Sequence, residues 1–380
     1  MIRSPRARWL PRLALVALGL VAAAGVAEVA LRVAAPVVGR ARHEAYFEDA
    51  SRQRVDYAAA KDRGLVQLPG LPRGRATWSP DLSFYLCYRD NHGPVMDERG
   101  CVRVDINSLG LRDRPDLTWD KPAGQRRVVC LGDSFTFGWG VPAELTWVRR
   151  VEAELQKGPG GDAIRLVNCG AAGTLYVDEY WWGLRDRFHA LAPDVVLVTL
   201  CLNDIALMPN TVALEAPATF GANQPLALIR AFAAAYDFRH RFDLDPTVDW
   251  GQVLLDLPPS DAFYAARAES ADMFWAAGAP QRALREMQAW CRARGIGFGV
   301  VVWPLFQNLE PGAHYPFHTL HRVVAEFCAA ESIPTLDLLP AFVGQRQGAL
   351  WVDPADMHGN EVAHALATPM LVTFTQTLLR

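Results

Sequence analysis

Cysteine does not occur before Cys87, and the chain holds only 7 in 380 residues. The first absence excludes a lipid-modified cysteine as the N-terminal anchor, and the second excludes a disulfide-stapled scaffold for a chain of this size. An excess of positive charge is also lacking: 38 Lys and Arg against 41 Asp and Glu leave a formal net charge of −3. A surface built for nucleic acid needs clustered Lys and Arg, so no nucleic-acid partner is expected. No internal repeat is present, and no low-complexity tract beyond an Ala-rich stretch near the N-terminus. What is abundant is apolar: 51% hydrophobic against 21% charged residues can bury a large core, as one main domain with decorations.

Arg3, Arg6, Arg8 and Arg12 precede an uncharged run from Leu13 to Ala27, which continues past Glu28 and Arg32 to Val38. A bilayer-spanning helix takes roughly 20 mostly apolar residues, a length reached here if Glu28 and Arg32 pair as i, i+4 neighbours at the interface. Residues 1–38 therefore read as a membrane segment. The positive charge ahead of the run places the N-terminus in the cytoplasm and the rest in the periplasm, as a single-pass inner-membrane protein. The competing reading is a cleaved signal and a secreted product, since Ala22-Ala23-Ala24 and Gly25-Val26-Ala27 offer small-residue cleavage sites.

Residues 39–125 form a loop-rich accessory region, punctuated by Pro and Gly and expected to pack on the main domain. It contains strand-like pieces such as VRVDIN. Cys87 and Cys101 flank the polar loop YRDNHGPVMDERG and are the candidate disulfide in an oxidising compartment. Two unrelated free thiols are the alternative. Cys130, Cys169 and Cys201 fall in apolar strand-like runs and Cys291 and Cys328 in helical ones, where a free Cys acts as a small core hydrophobe.

From Arg126 onward the pattern alternates. RRVVCLG, IRLVNCG, DVVLVTLCL, GFGVVVW and IPTLDLL read as five buried strands, with helices around Glu144 to Gln156, Tyr176 to Leu191, Pro280 to Arg294 and Leu320 to Ser332. Short apolar runs separated by helices imply parallel strands covered on both faces. Residues 126–380 are thus expected to form a doubly wound, mostly parallel five-stranded α/β sheet, a three-layer sandwich. Such sheets bind ligands outside the carboxyl ends of their strands. Residues 205–262 interrupt the alternation, carry several prolines and one helix-like piece, LALIRAFAAAYDF, and read as a lid or as a packing element.

The strand ends carry the chemistry. VVCLGDSFTFG places Ser134 at a strand-to-helix turn, where free helix N–H groups can stabilise an oxyanion; alone, such a serine is as well explained as a helix cap. NCGAAG brings Gly170 and Gly173, which permit close backbone approach, and LCLND brings the amide donor Asn203 to the same rim. A serine nucleophile needs a base, and the base an orienting group. WVDPADMHGN, after the last strand, supplies His358 with Asp356 two residues before it.

Taken in order, GDSFT, NCGAAG, LND and DMH resemble the nucleophile, glycine, asparagine and histidine blocks of the SGNH/GDSL hydrolase superfamily, over about residues 126 to 380. The resemblance implies Ser134 as nucleophile, His358 as base, and the Ser134 N–H, Gly173 N–H and Asn203 amide as oxyanion hole. It also implies no metal and no cofactor. NSLGLRD, from Asn107 to Asp113, is similar to a stretch ahead of the GDS block in anchored bacterial members, with a tight turn at Gly110 as its visible feature. Two departures stand out. Cys201 occupies a usual glycine position, and Ala355 stands where the family commonly has its acid. An Asp-x-His variant occurs in some members, alginate-type O-acetyltransferases among them, which makes Asp356 the natural acid and Asp353 its substitute.

A literal Asp-x-x-His at Asp186 to His189 falls before the third strand and reads as a polar helix face. Asp133 is expected to bond turn amides and His364 to brace the histidine loop. His314, His318 and His321 read as a solvated loop, with substrate contact as the alternative, and Trp181, Trp182 and Trp303 as core, with the lining of an acyl or sugar pocket as the alternative. The resulting expectation is ester hydrolysis, or transfer of an acyl group such as acetyl, on an envelope carbohydrate or lipid; a transferase would need an acyl-donor partner protein. The alternatives are a non-catalytic polysaccharide-binding protein on the same fold and a metal-dependent phosphoesterase using Asp353, Asp356, His358 and His364.

Overall fold

The computed structural model describes residues 9–38, 45–55, 78–88, 93–171, 176–206, 226–229, 244–245, 247–257, 271–354 and 356–380. The chain divides into two compact units, one of residues 1–42 with 210–243 and one of residues 43–209 with 244–380.

The first unit holds a 29-residue helix, Leu10–Val38. It is the only described helix long and apolar enough to cross a bilayer, over Arg12–Arg32. Its two charges pair: Arg32 Nε lies 2.7 Å from Glu28, so one helix turn carries a neutralised ion pair. The Glu28 carboxylate also accepts the Ala227 and Leu228 amides at 2.8 and 2.9 Å. Of LALIRAFAAAYDF, all beyond residue 229 lies outside the described residues, as does most of the 205–262 segment.

The second unit contains two main sheets. Strands β1 (Ala45–Asp49), β2 (Arg54–Val55), β3 (Ser83–Tyr88) and β4 (Cys101–Asp105) pair antiparallel in the order β2-β1-β3-β4. The VRVDIN piece thus belongs to a sheet, and Cys87 and Cys101, opposite each other on β3 and β4, form a disulfide. The other five cysteines are buried free thiols.

The larger sheet comprises β5 (Arg126–Gly132), β6 (Ile164–Gly170), β7 (Val195–Cys201), β8 (Gly297–Trp303) and β9 (Thr335–Asp337), all parallel, in the order β6-β5-β7-β8-β9. Every residue of β7 is buried, as the near-continuous apolar run demands for a strand covered on both faces. The chain moves from β5 to β6 on one side and then back past β5 to β7. Right-handed crossovers then put the helix Trp147–Gln156 on one face and Val177–Asp186 on the other. The first packs against the C-terminal helix Glu361–Leu378, the second against Ala279–Arg292. Trp147, Val151 and Leu155, one helical turn apart, are the buried stripe of the first of these helices.

The order reverses at β5, whose neighbours β6 and β7 are reached in opposite directions. That is the switch point where a crevice opens beyond the carboxyl ends. The small sheet meets the large one close to it: Phe47, Phe84, Leu86, Tyr88 and Val104 form one apolar cluster with Phe137 and Val141, just beyond the end of β5. Burial of such side chains is worth about 1.5–3 kcal/mol each.

Candidate active site

β5 ends at Gly132, and Asp133 caps the short helix Ser134–Phe137 by accepting the Phe135 amide at 2.9 Å. Ser134 is therefore the first helical residue, whose N–H has no intrahelical acceptor. The helix lies so close to β6 that a Cβ on Gly170 would stand 2.3 Å from the Phe137 nitrogen, so this packing requires glycine at that position.

After β9 the chain makes a hairpin of β10 (Trp351–Asp353) and β11 (Asp356–Gly359). Asn360 locks this hairpin to the C-terminal helix: its Oδ1 accepts the Val362 and Ala363 amides, and its Nδ2 donates to the Ala349 and Trp351 carbonyls. The hairpin brings His358 Nε2 to 2.8 Å from Ser134 Oγ, while His358 Nδ1 hydrogen-bonds Asp356 Oδ1. Asp353 is buried and sits opposite Asp356 in the hairpin. The carboxylate bonded to the ring is that of Asp356.

Electrostatics follow this geometry. Burial disfavours the charged His358 ring, but the adjacent Asp356 carboxylate outweighs it and raises the imidazole above its ordinary value. Burial acts against the Asp356 charge as well, yet His358 and the hydrogen bonds from His358 and Tyr88 bring it down to about 2. His364 behaves oppositely. Burial, with Arg150 and Arg112 nearby, lowers it to about 3, and its Nδ1 accepts the Trp147 amide at 3.0 Å. With that nitrogen occupied, His364 braces the β11–helix junction, and the Asp353, Asp356, His358 and His364 set is not drawn together as metal ligands. Among the described residues, a metal-compatible cluster occurs only at Glu48, Cys87 and Cys101, where both cysteines are tied up in the disulfide.

Asn203 lies in the 3-10 turn Leu202–Asp204 directly after β7 and is exposed. Its neighbour Asp204 is buried, accepting the Cys201 amide at 2.9 Å and the Tyr180 hydroxyl at 2.8 Å, so the turn is clamped while Asn203 itself stays exposed. Asn203 is close enough to Asp133 to favour the charged form of that otherwise burial-raised carboxyl. Gly173 falls outside the described residues. An amide so placed can donate to an oxyanion forming at Ser134, and Asn203→Ala should lower kcat about 10²- to 10³-fold. Steady-state rates on p-nitrophenyl acetate measure this, and an unchanged kcat would remove Asn203 from the oxyanion hole.

The NSLGLRD stretch has a mechanical role that its sequence does not announce. Asn107 Oδ1 accepts the Leu109 and Leu111 amides at 3.0 Å each, around a Gly110 with φ +71°. This turn sends Arg112 inward to donate to the carbonyls of Phe137, Gly138 and Val141, behind the Ser134 helix. Asp113 accepts the Asn168 amide at 2.7 Å, and Asn168 Oδ1 in turn accepts the Gly170 amide at 3.0 Å. One segment thus supports the Ser134 turn and the glycine block together.

The remaining candidates do not join the site. Asp186 pairs with Arg185, and His189 is exposed ahead of β7, at the amino end of the sheet. His321 is buried between Asp337 and Tyr315, at 2.9 and 3.2 Å. Trp303 is fully buried against Phe135, Phe342 and His364. Missed in the sequence are Tyr88 and Trp139, which both donate to Asp356 Oδ2, at 2.7 and 3.0 Å. Trp139 lies just beyond the GDSFTFG block, but nothing links Tyr88 with a residue 268 positions later.

A doubly wound α/β sheet with a Ser–His–Asp line at its switch point is the framework of an SGNH hydrolase. The chain belongs to the GDSL-like lipase/acylhydrolase family, whose model matches residues 130–366. It is accordingly a hydrolase of the ester-cleaving kind. Among solved structures, it is similar to an alpha/beta hydrolase enzyme from the metagenome of Lake Arreo, at 16% identity and a TM-score of 0.41 over 68% of this chain and 98% of that one. A variant of the acetyl-xylooligosaccharide esterase of Geobacillus stearothermophilus is similar at 14% identity and a TM-score of 0.41, over 67% of this chain and 95% of that one. Likenesses this low carry no argument about substrate. No match was found among curated proteins.

Proposed function

We propose that this protein is a membrane-anchored serine esterase, or an acyltransferase working through the same acyl-enzyme, acting on an acylated envelope carbohydrate or lipid. The observation that carries the reading is the line Ser134 Oγ, His358 Nε2 at 2.8 Å, and Asp356 on the far ring nitrogen. Ser134 Oγ attacks the ester carbonyl and its proton passes to His358 Nε2, while Asp356 holds the ring and stabilises the imidazolium. The carbonyl oxygen, now negative, takes the Ser134 N–H and the Asn203 amide. Collapse breaks the ester C–O bond, His358 protonates the departing alcohol, and the acyl group stays on Ser134. Water or a sugar hydroxyl then gives its proton to His358 and attacks the acyl carbon; the bond to Ser134 Oγ breaks and His358 returns that proton to the serine oxygen. Hydrolase and transferase differ only in that acceptor; the transferase would draw on a partner protein as acyl donor.

The location rests on two supports: arginines ahead of the apolar helix, which favour a cytoplasmic N-terminus, and a Cys87–Cys101 disulfide, a bond that persists in oxidising compartments. One experiment addresses both site and place. Membranes washed with carbonate are incubated with p-nitrophenyl acetate, quenched, and the protein weighed intact. An acetyl adduct mapping to Ser134 on a full-length, membrane-retained chain is the expected result. The lifetime of the adduct in water, with and without acetyl-accepting oligosaccharides, separates hydrolase from transferase. A non-catalytic binding protein would form no adduct, and a shortened soluble species would mean a cleaved signal.

A further inference from the structure

The small antiparallel sheet reaches the Ser134 site through Tyr88, the last residue of β3. Its hydroxyl is buried and donates to Asp356 Oδ2 at 2.7 Å, and Trp139 Nε1 donates to the same oxygen at 3.0 Å. Asp356 Oδ1 accepts the backbone amide of His358 at 3.1 Å as well as the ring Nδ1. A carboxylate offers about four acceptor sites on its two oxygens, and here four donors occupy them. Two donors on the far oxygen oppose rotation about the Cβ–Cγ bond, so the near oxygen stays in line with the His358 ring.

Tyr88 is built for this role in two ways. Its strand is tied down one residue earlier by the Cys87–Cys101 disulfide. Its phenol stays a donor at working pH, because burial, reinforced by the Asp356 charge, raises it well above the ordinary tyrosine value. Trp139 comes from the other direction, just after the Ser134–Phe137 helix, and its ring lies 6.0 Å from that of His358. The acid is therefore held by two chain segments that precede it by more than 200 positions, at separations of 268 and 217.

We propose that Tyr88 and Trp139 are positioning residues that fix the Asp356 carboxylate for the His358 base, which makes the N-terminal antiparallel sheet a working part of the catalytic device. The inference rests on the reading of Ser134, His358 and Asp356 as the catalytic residues. Donors on Oδ2 also draw negative charge away from Oδ1. Removing one leaves more charge facing His358 and raises the imidazole further, since an opposite charge nearby favours the protonated ring. The other titratable or charged groups facing this cluster are Asp133 on the nucleophile turn, Asp353 on β10, Arg112 behind the turn and His364 on the C-terminal helix. All four stay in place in the variants that test the idea.

The test measures kcat, KM and the pH profile on p-nitrophenyl acetate for the full chain in detergent, comparing Tyr88→Phe, Trp139→Phe, Asp356→Asn, the double variant Tyr88→Phe/Asp356→Asn, and Ser134→Ala. Loss of one hydrogen bond to a charged group should cost Tyr88→Phe about tenfold in kcat, with KM within about twofold. The acid limb should move to higher pH. Trp139→Phe should shift both in the same directions by less, and Tyr88→Phe should cost under about twofold once Asp356 is already Asn. A purely structural Tyr88 would instead lower the melting temperature, leave the acid limb in place, and cost as much in the Asn background as in the wild type. That pattern, with Ser134→Ala inactive, overturns this inference alone. Retained activity in Ser134→Ala overturns both it and the catalytic reading beneath it.

Discussion

Ser134→Ala should lower kcat on p-nitrophenyl acetate by about 10⁴- to 10⁶-fold while leaving the melting temperature within a few degrees of wild type. In the proposed mechanism the loss is large because the Ser134 oxygen bonds to the acyl carbon, leaving only the oxyanion-stabilising power of the Ser134 N–H and Asn203. The fold should tolerate the change for local reasons. Asp133, not the Ser134 side chain, caps the short helix through the Phe135 amide. The hydrogen bond given up by the serine hydroxyl is the one to His358, at 2.8 Å, and a ring 29% exposed on its side chain can turn to water instead. Activity retained within tenfold of wild type would falsify the nucleophile assignment, whatever the fate of the other residues.

The second large effect concerns the acid. Asp356→Asn should reduce kcat by at least about 10²-fold and toward 10⁴-fold, with KM little changed, because an amide at this place neither stabilises the imidazolium nor fixes the productive tautomer. Asp353→Asn should cost less than about tenfold, since the ring bond belongs to Asp356. The pH profile carries a second signature. In the proposed mechanism His358 must be neutral to take the Ser134 proton, so wild-type activity should rise with pH through a value held above the ordinary histidine one by Asp356. Removing that charge leaves burial as the dominant influence, which pushes the imidazole downward. The acid limb of the Asn variant should therefore sit at lower pH than the wild-type limb, even as its plateau falls. The reverse ranking of the two variants would transfer the acid role to Asp353.

Much of this architecture can be read along the chain. RRVVCLG, IRLVNCG and GFGVVVW coincide with β5, β6 and β8 because strands covered on both faces must be apolar throughout, and few other structures require such short runs. The apolar helix and its Glu28–Arg32 pair follow from length and i, i+4 spacing alone. Residues 45–105 were less legible. β2 has only two residues and β1 reads AYFED, too short and too mixed for an alternating pattern to emerge, so a sheet there appears only when β3 and β4 pair beside it.

Within the site, the division runs along the same line. Ser134 and Asn203 could be named from sequence because each sits in a short block at a strand end whose turn is encoded by adjacent residues, and His358 because its DMH block completes the family order. Asp356 was preferred over Asp353 only through the family's Asp-x-His variant, since both lie within a few residues of His358; the register of the β10–β11 hairpin is what brings the Asp356 carboxylate to the ring. Arg112 behind the nucleophile helix and Tyr88 behind the acid were invisible for a stronger reason. Their partners are carbonyls and a carboxylate distant along the chain, and a hydrogen bond across such a separation depends on where two sheets are brought together, which no local spacing records. Sequence by itself determined the strands, the membrane-length helix and the blocks that carry Ser134, Asn203 and His358; tertiary structure alone decided which groups hold them in line, because positioning is a property of contacts between segments and not of either segment.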